Sequence, residues 1–114
     1  MSVTERKRKI RHELLRKLKA HKEEDRLKKS SAIAKKLFFL KEFIQAKTVL
    51  FYLSFDGEVD TVRMIKDAIR QGKKVALPVL RKENAEMFAS LLDDIDKEVV
   101  SGPYGTRHPK EEYI

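Results

Sequence analysis

The sequence predicts an α/β domain in which basic N-terminal helices pack on a small, mainly parallel sheet containing a βαβ unit. Three observations carry this. Residues 5–44 place apolar side chains at helical spacing among many Lys and Arg. KTVLFYLS (47–54) and KKVALPVL (73–80) are short, continuous apolar runs, the pattern of strands buried in a sheet. Between them TVRMIKDAIRQ (61–71) returns to helical period and is followed by Gly72. Strand, helix, strand within about thirty residues implies parallel strands and a right-handed crossover.

The elements follow in order. In residues 5–20, Ile10, Leu14 and Leu18 stand at i, i+4, i+8 with Leu15 beside them, a narrow apolar stripe that Thr4 could cap. HKEED is a polar connector. Residues 24–44 read as one second helix, with Leu27, Ile33, Ala34, Leu37, Leu40 and Ile44 on its buried side and Phe38, Phe39 and Phe43 widening it. In the third helix Val62, Ile65, Ala68 and Ile69 share one side, and Asp60 or Thr61 caps it. Pro78 places its strand near a sheet edge or bend. EMFASLL (86–92) fits a short third strand or a helical turn, DDIDKE a loop or helix end, and SGPYGTRHPKEEYI an irregular tail.

A length of 114 residues suggests a single domain, 1–114. The net charge of +8 is uneven: residues 1–50 hold 16 Lys+Arg against 6 Asp+Glu (+10), and residues 51–114 hold 10 against 12 (−2). The positive field attracts anions: nucleic acid, a membrane surface or a phosphorylated small molecule. The absence of cysteine excludes disulfides and thiolate metal sites and suggests a reducing, cytoplasmic location. No apolar run approaches the ~20 residues of a membrane span, and no secretion signal is legible. His12, His21 and His108 lack metal-ligand spacing, so no metal site is assigned. There is no GxGxxG, no GxxxxGK[ST] and no Ser/His/Asp constellation, so no catalytic residue is assigned either.

Two features can carry chemistry. Glu58 follows a strand at the carboxyl end where open α/β sheets bind ligands. It could accept hydrogen bonds from the N–H groups of a heterocycle, or simply be a solvated anion near a helix N-terminus. Asp60 reads as a cap. In the run RKRKIR, Lys7 and Arg11 stand at i, i+4 on one helix face. Two such cations can hold a triphosphate. A solvated basic face is the plainer reading. A nucleic-acid patch is the third and weakest, because no stacking aromatics are interleaved with the cations.

The ordered segments KRKIRHELLRKL, SSAIAKKL, the strand ending YLS, EVDT, GKKVALP, Met87 and GPYG resemble the N-terminal part of the 5-formyltetrahydrofolate cyclo-ligase (methenyltetrahydrofolate synthetase) family. The resemblance implies an incomplete version of the cyclo-ligase (NagB/RpiA-like) fold. It also implies ATP- and Mg²⁺-dependent conversion of 5-formyltetrahydrofolate to 5,10-methenyltetrahydrofolate. ATP would activate the formyl oxygen so that the ring can close. On the same basis Lys7 and Arg11 match ATP-phosphate contacts, and Leu53, Phe55 and Glu58 match substrate contacts. Glu58 would anchor the folate and Phe55 would lie against the pterin. The family's second half, with its glycine-rich phosphate cradle, is not in these 114 residues, and Thr106 to His108 replace the apolar-then-acidic residues expected before the proline. Two or three parallel strands leave an open edge and an incompletely covered face, so a complementing C-terminal half or a second copy is expected as partner. The alternatives are a non-catalytic nucleotide- or folate-binding remnant and, last, a nucleic-acid-binding domain.

Overall fold

A computed structural model describes residues 2–55, 57–81, 83–101 and 107–114. Helix α1 (Val3–Ala20) starts at Ser2, whose side chain accepts the Glu5 N–H; Ser2, and not Thr4, is the cap. None of the residues of α1 is buried. Helix α2 (Glu23–Phe39) carries Glu23, Glu24 and Asp25 in its first turn, where acidic groups offset the helix dipole. The single helix expected over 24–44 is two: Leu40 leaves helical geometry (φ −67°, ψ 134°) and a short helix α3 (Lys41–Gln45) follows. The break turns Phe43 into the core at 6% exposure, while Leu27, Ile33, Leu40 and Ile44 stay at least 44% exposed, so only Ala34 and Leu37 of the expected stripe help cover the core. Lys73 reaches back to close the end of α3: its ammonium donates to the carbonyls of Phe43, Ile44 and Ala46 at 2.7, 3.2 and 2.8 Å.

Strand β1 (Thr48–Leu50) is shorter than its apolar run. It pairs in parallel with β2 (Lys74–Arg81) through helix α4 (Val62–Arg70), which is the expected βαβ unit. EMFASLL is strand β3 (Glu86–Leu92), antiparallel to β2, so the sheet β1-β2-β3 is mixed: the parallel expectation holds for the βαβ unit and stops at its third strand. Helix α5 (Ile95–Glu98) lies in the acidic DDIDKE stretch, read as a loop or helix end, and the stretch read as an irregular tail contributes β5 (Arg107–Pro109), which pairs with β4 (Val99–Ser101). The GPYG turn lies outside the described residues.

Pro78 lies in the central strand β2, where a sheet edge or bend was expected, and is tolerated there for a definite reason. The last bond between β1 and β2 runs from the Phe51 N–H to the Ala76 carbonyl. Alternate residues point to the same side, so Pro78 directs its missing donor at the space beyond the end of β1, where no partner waits. Gly72 (φ +89°) ends α4 as expected: its N–H bonds the Ile69 carbonyl and the Lys73 N–H bonds that of Ala68, a paired closure that suits a left-handed residue.

The core lies on one face of the sheet. Val75, Leu77 and Leu92 of the strands and Phe51 pack against Met64, Ile65 and Ala68 of α4, with Phe43 and Ile95. Ile65 and Ala68 are fully enclosed. The other face is open and apolar: Leu50, Leu80, Met87 and Leu91 are 61, 54, 69 and 57% exposed. The two apolar runs are therefore buried on one side, where burial on both was expected.

The junction between β1 and α4 is closed by two hydroxyls. Thr61, 3% exposed, donates to the Tyr52 carbonyl at 2.7 Å and accepts the Ser54 N–H at 2.9 Å, while Ser54 Oγ accepts the Thr61 N–H at 3.3 Å. Thr61 is the N-cap residue of α4 but its side chain makes no cap bond; Asp60, one position earlier, accepts the first helical N–H, that of Val62, at 3.1 Å. Thr61→Val keeps the shape and strands a buried carbonyl and a buried N–H. It is expected to lower unfolding free energy by about 2 kcal/mol or more, whereas Thr61→Ser loses only a methyl, about 1 kcal/mol. Equal urea midpoints for the two variants would contradict this role.

Candidate functional site

The loop after β1 is built around one peptide group, that between Ser54 and Phe55. Its N–H donates to Glu58 Oε1 at 2.6 Å and its carbonyl accepts from Arg107 Nη2 at 3.1 Å. Glu58 also closes a turn, its N–H bonding the Phe55 carbonyl at 3.0 Å. One carboxylate oxygen is thus spent on the loop, and Oε2 takes no hydrogen bond from the described residues. That oxygen can accept from a ligand N–H. Leu53 and Phe55 are half-buried beside it, at the carboxyl end of β1.

Helix α2 holds this loop from the other side. Arg26 Nη1 donates to the Glu58 carbonyl at 2.9 Å, while Nε and Nη2 grip the Glu23 carboxylate at 2.8 and 2.5 Å. The hydrogen bonding from Arg26 to Glu23 holds the Glu23 carboxyl below the usual range, against an opposing effect of desolvation, and the guanidinium charge adds to the lowering. One turn on, the buried Ser30 accepts the Asp60 N–H at 2.8 Å. Tyr52, which the sequence reading left unassigned, stands close enough to Glu58 that burial first and the Glu58 charge second push its hydroxyl above the ordinary tyrosine value. Arg26, Ser30, Tyr52 and Arg107 were not legible as site residues, because each arrives from elsewhere in the chain or from the opposite phase of a strand.

Lys7 and Arg11 flank a shallow hollow of about 360 Å³ on α1, with Ile10, Leu14 and Leu15. No bond among the described residues joins them to Glu58, but the helix does. Gly57 packs against Leu18, so closely that a Cβ there would lie 2.6 Å from the Leu18 carbonyl oxygen and 3.1 Å from its Cβ. Eleven residues make almost three whole turns, so Lys7, Arg11 and Leu18 share one face of α1. The cations therefore look to the side on which the Glu58 loop docks, roughly 10 to 16 Å along the axis from it. A larger hollow, about 670 Å³, lies between α2 and α4 and is floored by Leu27, Ala34, Phe38 and Met64. It meets the strand-end loop at Asp60, and its rim carries Lys35, Arg63, Asp67 and Arg70; neither Glu58 nor the α1 cations line it. No group of three His, Cys, Asp or Glu converges among the described residues.

Gly57 (φ +82°) is the hinge of this arrangement. Gly57→Ala adds both backbone strain and a collision with the backbone of α1; Gly72→Ala adds strain in open space. The first is expected to cost over 2 kcal/mol, roughly twice the second. Denaturant titration of both variants checks the order; a Gly57→Ala protein no less stable than Gly72→Ala would remove the contact between α1 and the loop.

Known proteins resemble this chain in sequence and in fold. The profile of the 5-formyltetrahydrofolate cyclo-ligase family matches residues 3–114. A mouse 5-formyltetrahydrofolate cyclo-ligase is 33% identical over 78 residues, 68% of this chain and 38% of the relative; that of Escherichia coli K12 is 39% identical over 67 residues, 59% and 37% respectively. The NMR structure of Aquifex aeolicus 5,10-methenyltetrahydrofolate synthetase overlays 92% of this chain at a TM-score of 0.76 and 26% identity, and the chain covers 52% of it. The chain thus spans about half of that solved structure and aligns with less of the curated relatives. With a family match running from the first turn of α1 to the last residue, over a fold that the solved relative shares, the chain belongs to the 5-formyltetrahydrofolate cyclo-ligase family.

Proposed function

We propose that this chain supplies one half of a site that converts 5-formyltetrahydrofolate to 5,10-methenyltetrahydrofolate with ATP and Mg²⁺. The observation that carries the reading is the placement of Glu58: a carboxylate oriented by its own loop, with Oε2 available, on the side of α1 that also presents Lys7 and Arg11. Glu58 accepts hydrogen bonds from the N–H edge of the pterin, Phe55 lies against its flat face, and Leu53 borders it. Lys7 and Arg11 neutralise phosphate charge, Arg through parallel donors and Lys as a point charge. ATP, when bound, supplies the phosphoryl group that makes the formyl oxygen a leaving group. The work of the protein is to hold the two ligands together and to offset charge. The described residues fit the phosphates better than the metal: they offer two cations on one face and no converging acidic cluster that would hold Mg²⁺.

The half-site calls for completion from beyond these 114 residues, by a complementing half of the family fold or by a second copy. Leu50, Leu80, Met87 and Leu91 form an uncovered apolar sheet face beside the unpaired edge of β1. Sheets with parallel strands are normally covered on both faces, and such edges recruit further chain. A complementing half of the family fold is the occupant that restores both cover and site; a second copy restores the cover alone. With cysteine absent, a reducing cytoplasm suits the reading.

A non-catalytic folate- or nucleotide-binding role needs the same contacts, so binding tests both. Glu58→Gln is expected to weaken 5-formyltetrahydrofolate binding about tenfold or more and to leave ATP binding unchanged; Lys7→Ala with Arg11→Ala does the reverse. Calorimetry with each ligand separately reads this, and unchanged affinities in both variants would overturn the assignment. Sedimentation at micromolar concentration is expected to show self-association that Met87→Lys with Leu91→Lys abolishes. A well-folded, strictly monomeric wild type would contradict the need for a partner.

A further inference from the structure

Arg107 reaches the Glu58 loop from a distant part of the chain. It begins β5, and its Nη2 donates to the carbonyl of Ser54, 53 residues earlier. The same peptide group gives its N–H to Glu58 Oε1. Following those bonds and the peptide itself, guanidinium nitrogen and carboxylate oxygen are at most about 8 Å apart. No ion pair joins Glu58 to any cation among the described residues, although Arg26 meets its carbonyl on the other side. The loop therefore holds its carboxylate near two guanidinium groups, Arg26 already paired with Glu23, without an ion pair from Glu58 to either among the described residues.

A guanidinium has five N–H donors in a planar fork. Arg107 uses one of them on the described residues, and it is exposed. A simple strap to a backbone carbonyl needs one neutral donor; this one leaves a charged fork beside a ligand-facing carboxylate. Resting on the function proposed above, we infer that Arg107 holds an oxyanion of the same ligand set whose N–H edge Glu58 accepts, and that it is a specificity-determining contact of the site. The chemistry is that of a phosphate or a carboxylate, either of which takes the fork in bidentate fashion. A nucleotide phosphate and a folate-tail carboxylate are its two sources, and the charge on Arg107 rewards whichever lies within that 8 Å reach of the pterin edge.

The test is an NMR titration that observes arginine Nε–H resonances in the full chain, with inorganic tripolyphosphate and with 4-aminobenzoyl-glutamate as probes. A saturable shift of the Arg107 resonance with one probe is expected, and the probe identifies the source. Arg107→Gln is expected to weaken that probe about tenfold or more, and Arg107→Lys, which keeps charge without the fork, by less. The amides of Gly57 and Glu58 report whether the loop survives, and the wild-type titration decides the matter even if a variant unfolds. No saturable shift with either probe, or unchanged affinity in a folded Arg107→Gln, overturns the inference. If that happens while Glu58 and the α1 cations still govern ligand binding, only the role of Arg107 falls. If the probe binds at Arg107 and 5-formyltetrahydrofolate does not bind at all, the functional reading falls and an anion site remains.

Discussion

Everything distinctive here depends on how the chain turns the corner from β1 into α4. A strand end exposes carbonyls and N–H groups that the ladder no longer uses, and buried ones are costly unless paired. Thr61 and Ser54 settle three of them with two hydroxyls, which leaves the next residues free to project outward. Glu58 then closes the outer turn on the Phe55 N–H, and its second oxygen takes no hydrogen bond from the described residues. The loop is fastened at its base by neutral hydrogen bonds and at its rim by Arg26 and Arg107, so its carboxylate is oriented before any ligand arrives. Preorganisation of this kind lowers the ordering cost of binding.

The same corner ties α1 to the site. A residue with a side chain at position 57 could not approach Leu18, and α1 buries none of its own residues, so this contact does much to set the helix direction. The basic face of α1 is consequently both solvent-exposed and aimed toward the strand end. Meanwhile the sheet is finished on one side only. The enclosed residues Ile65, Val75 and Leu77 form a dense layer under α4, and across the same strands Leu50, Leu80, Met87 and Leu91 remain open. A ligand site bounded by one helix and one loop, and a core bounded by one layer of helices, are two views of a single incompleteness.

Much of this was legible before any coordinates. The helical period of α4, the glycine after it and the two apolar runs give the βαβ unit, because period and left-handed capping are local properties of the chain. The break at Leu40 was not legible: Leu37, Leu40 and Ile44 continue a helical stripe, and only the packing of Phe43 under the sheet favours the kink. Burial of the strands was misjudged on one side because a continuous apolar run looks the same whether its second face is covered or waiting to be covered. Of the proposed site, position and spacing offer Glu58, Lys7 and Arg11 as candidates. Arg26 and Arg107 could not be read this way, since their value comes from bonds to backbone carbonyls that sequence does not display.

The central claim is that one side of the molecule, from the α1 cations to the Glu58 loop, receives folate and nucleotide side by side. Backbone amide NMR with ATP and 5-formyltetrahydrofolate added together tests it most directly. The account predicts perturbations at residues 7–18 and 52–61, with nuclear Overhauser contacts between the two ligands. Perturbations centred on the groove between α2 and α4, or two ligands bound with no contact between them, would contradict it.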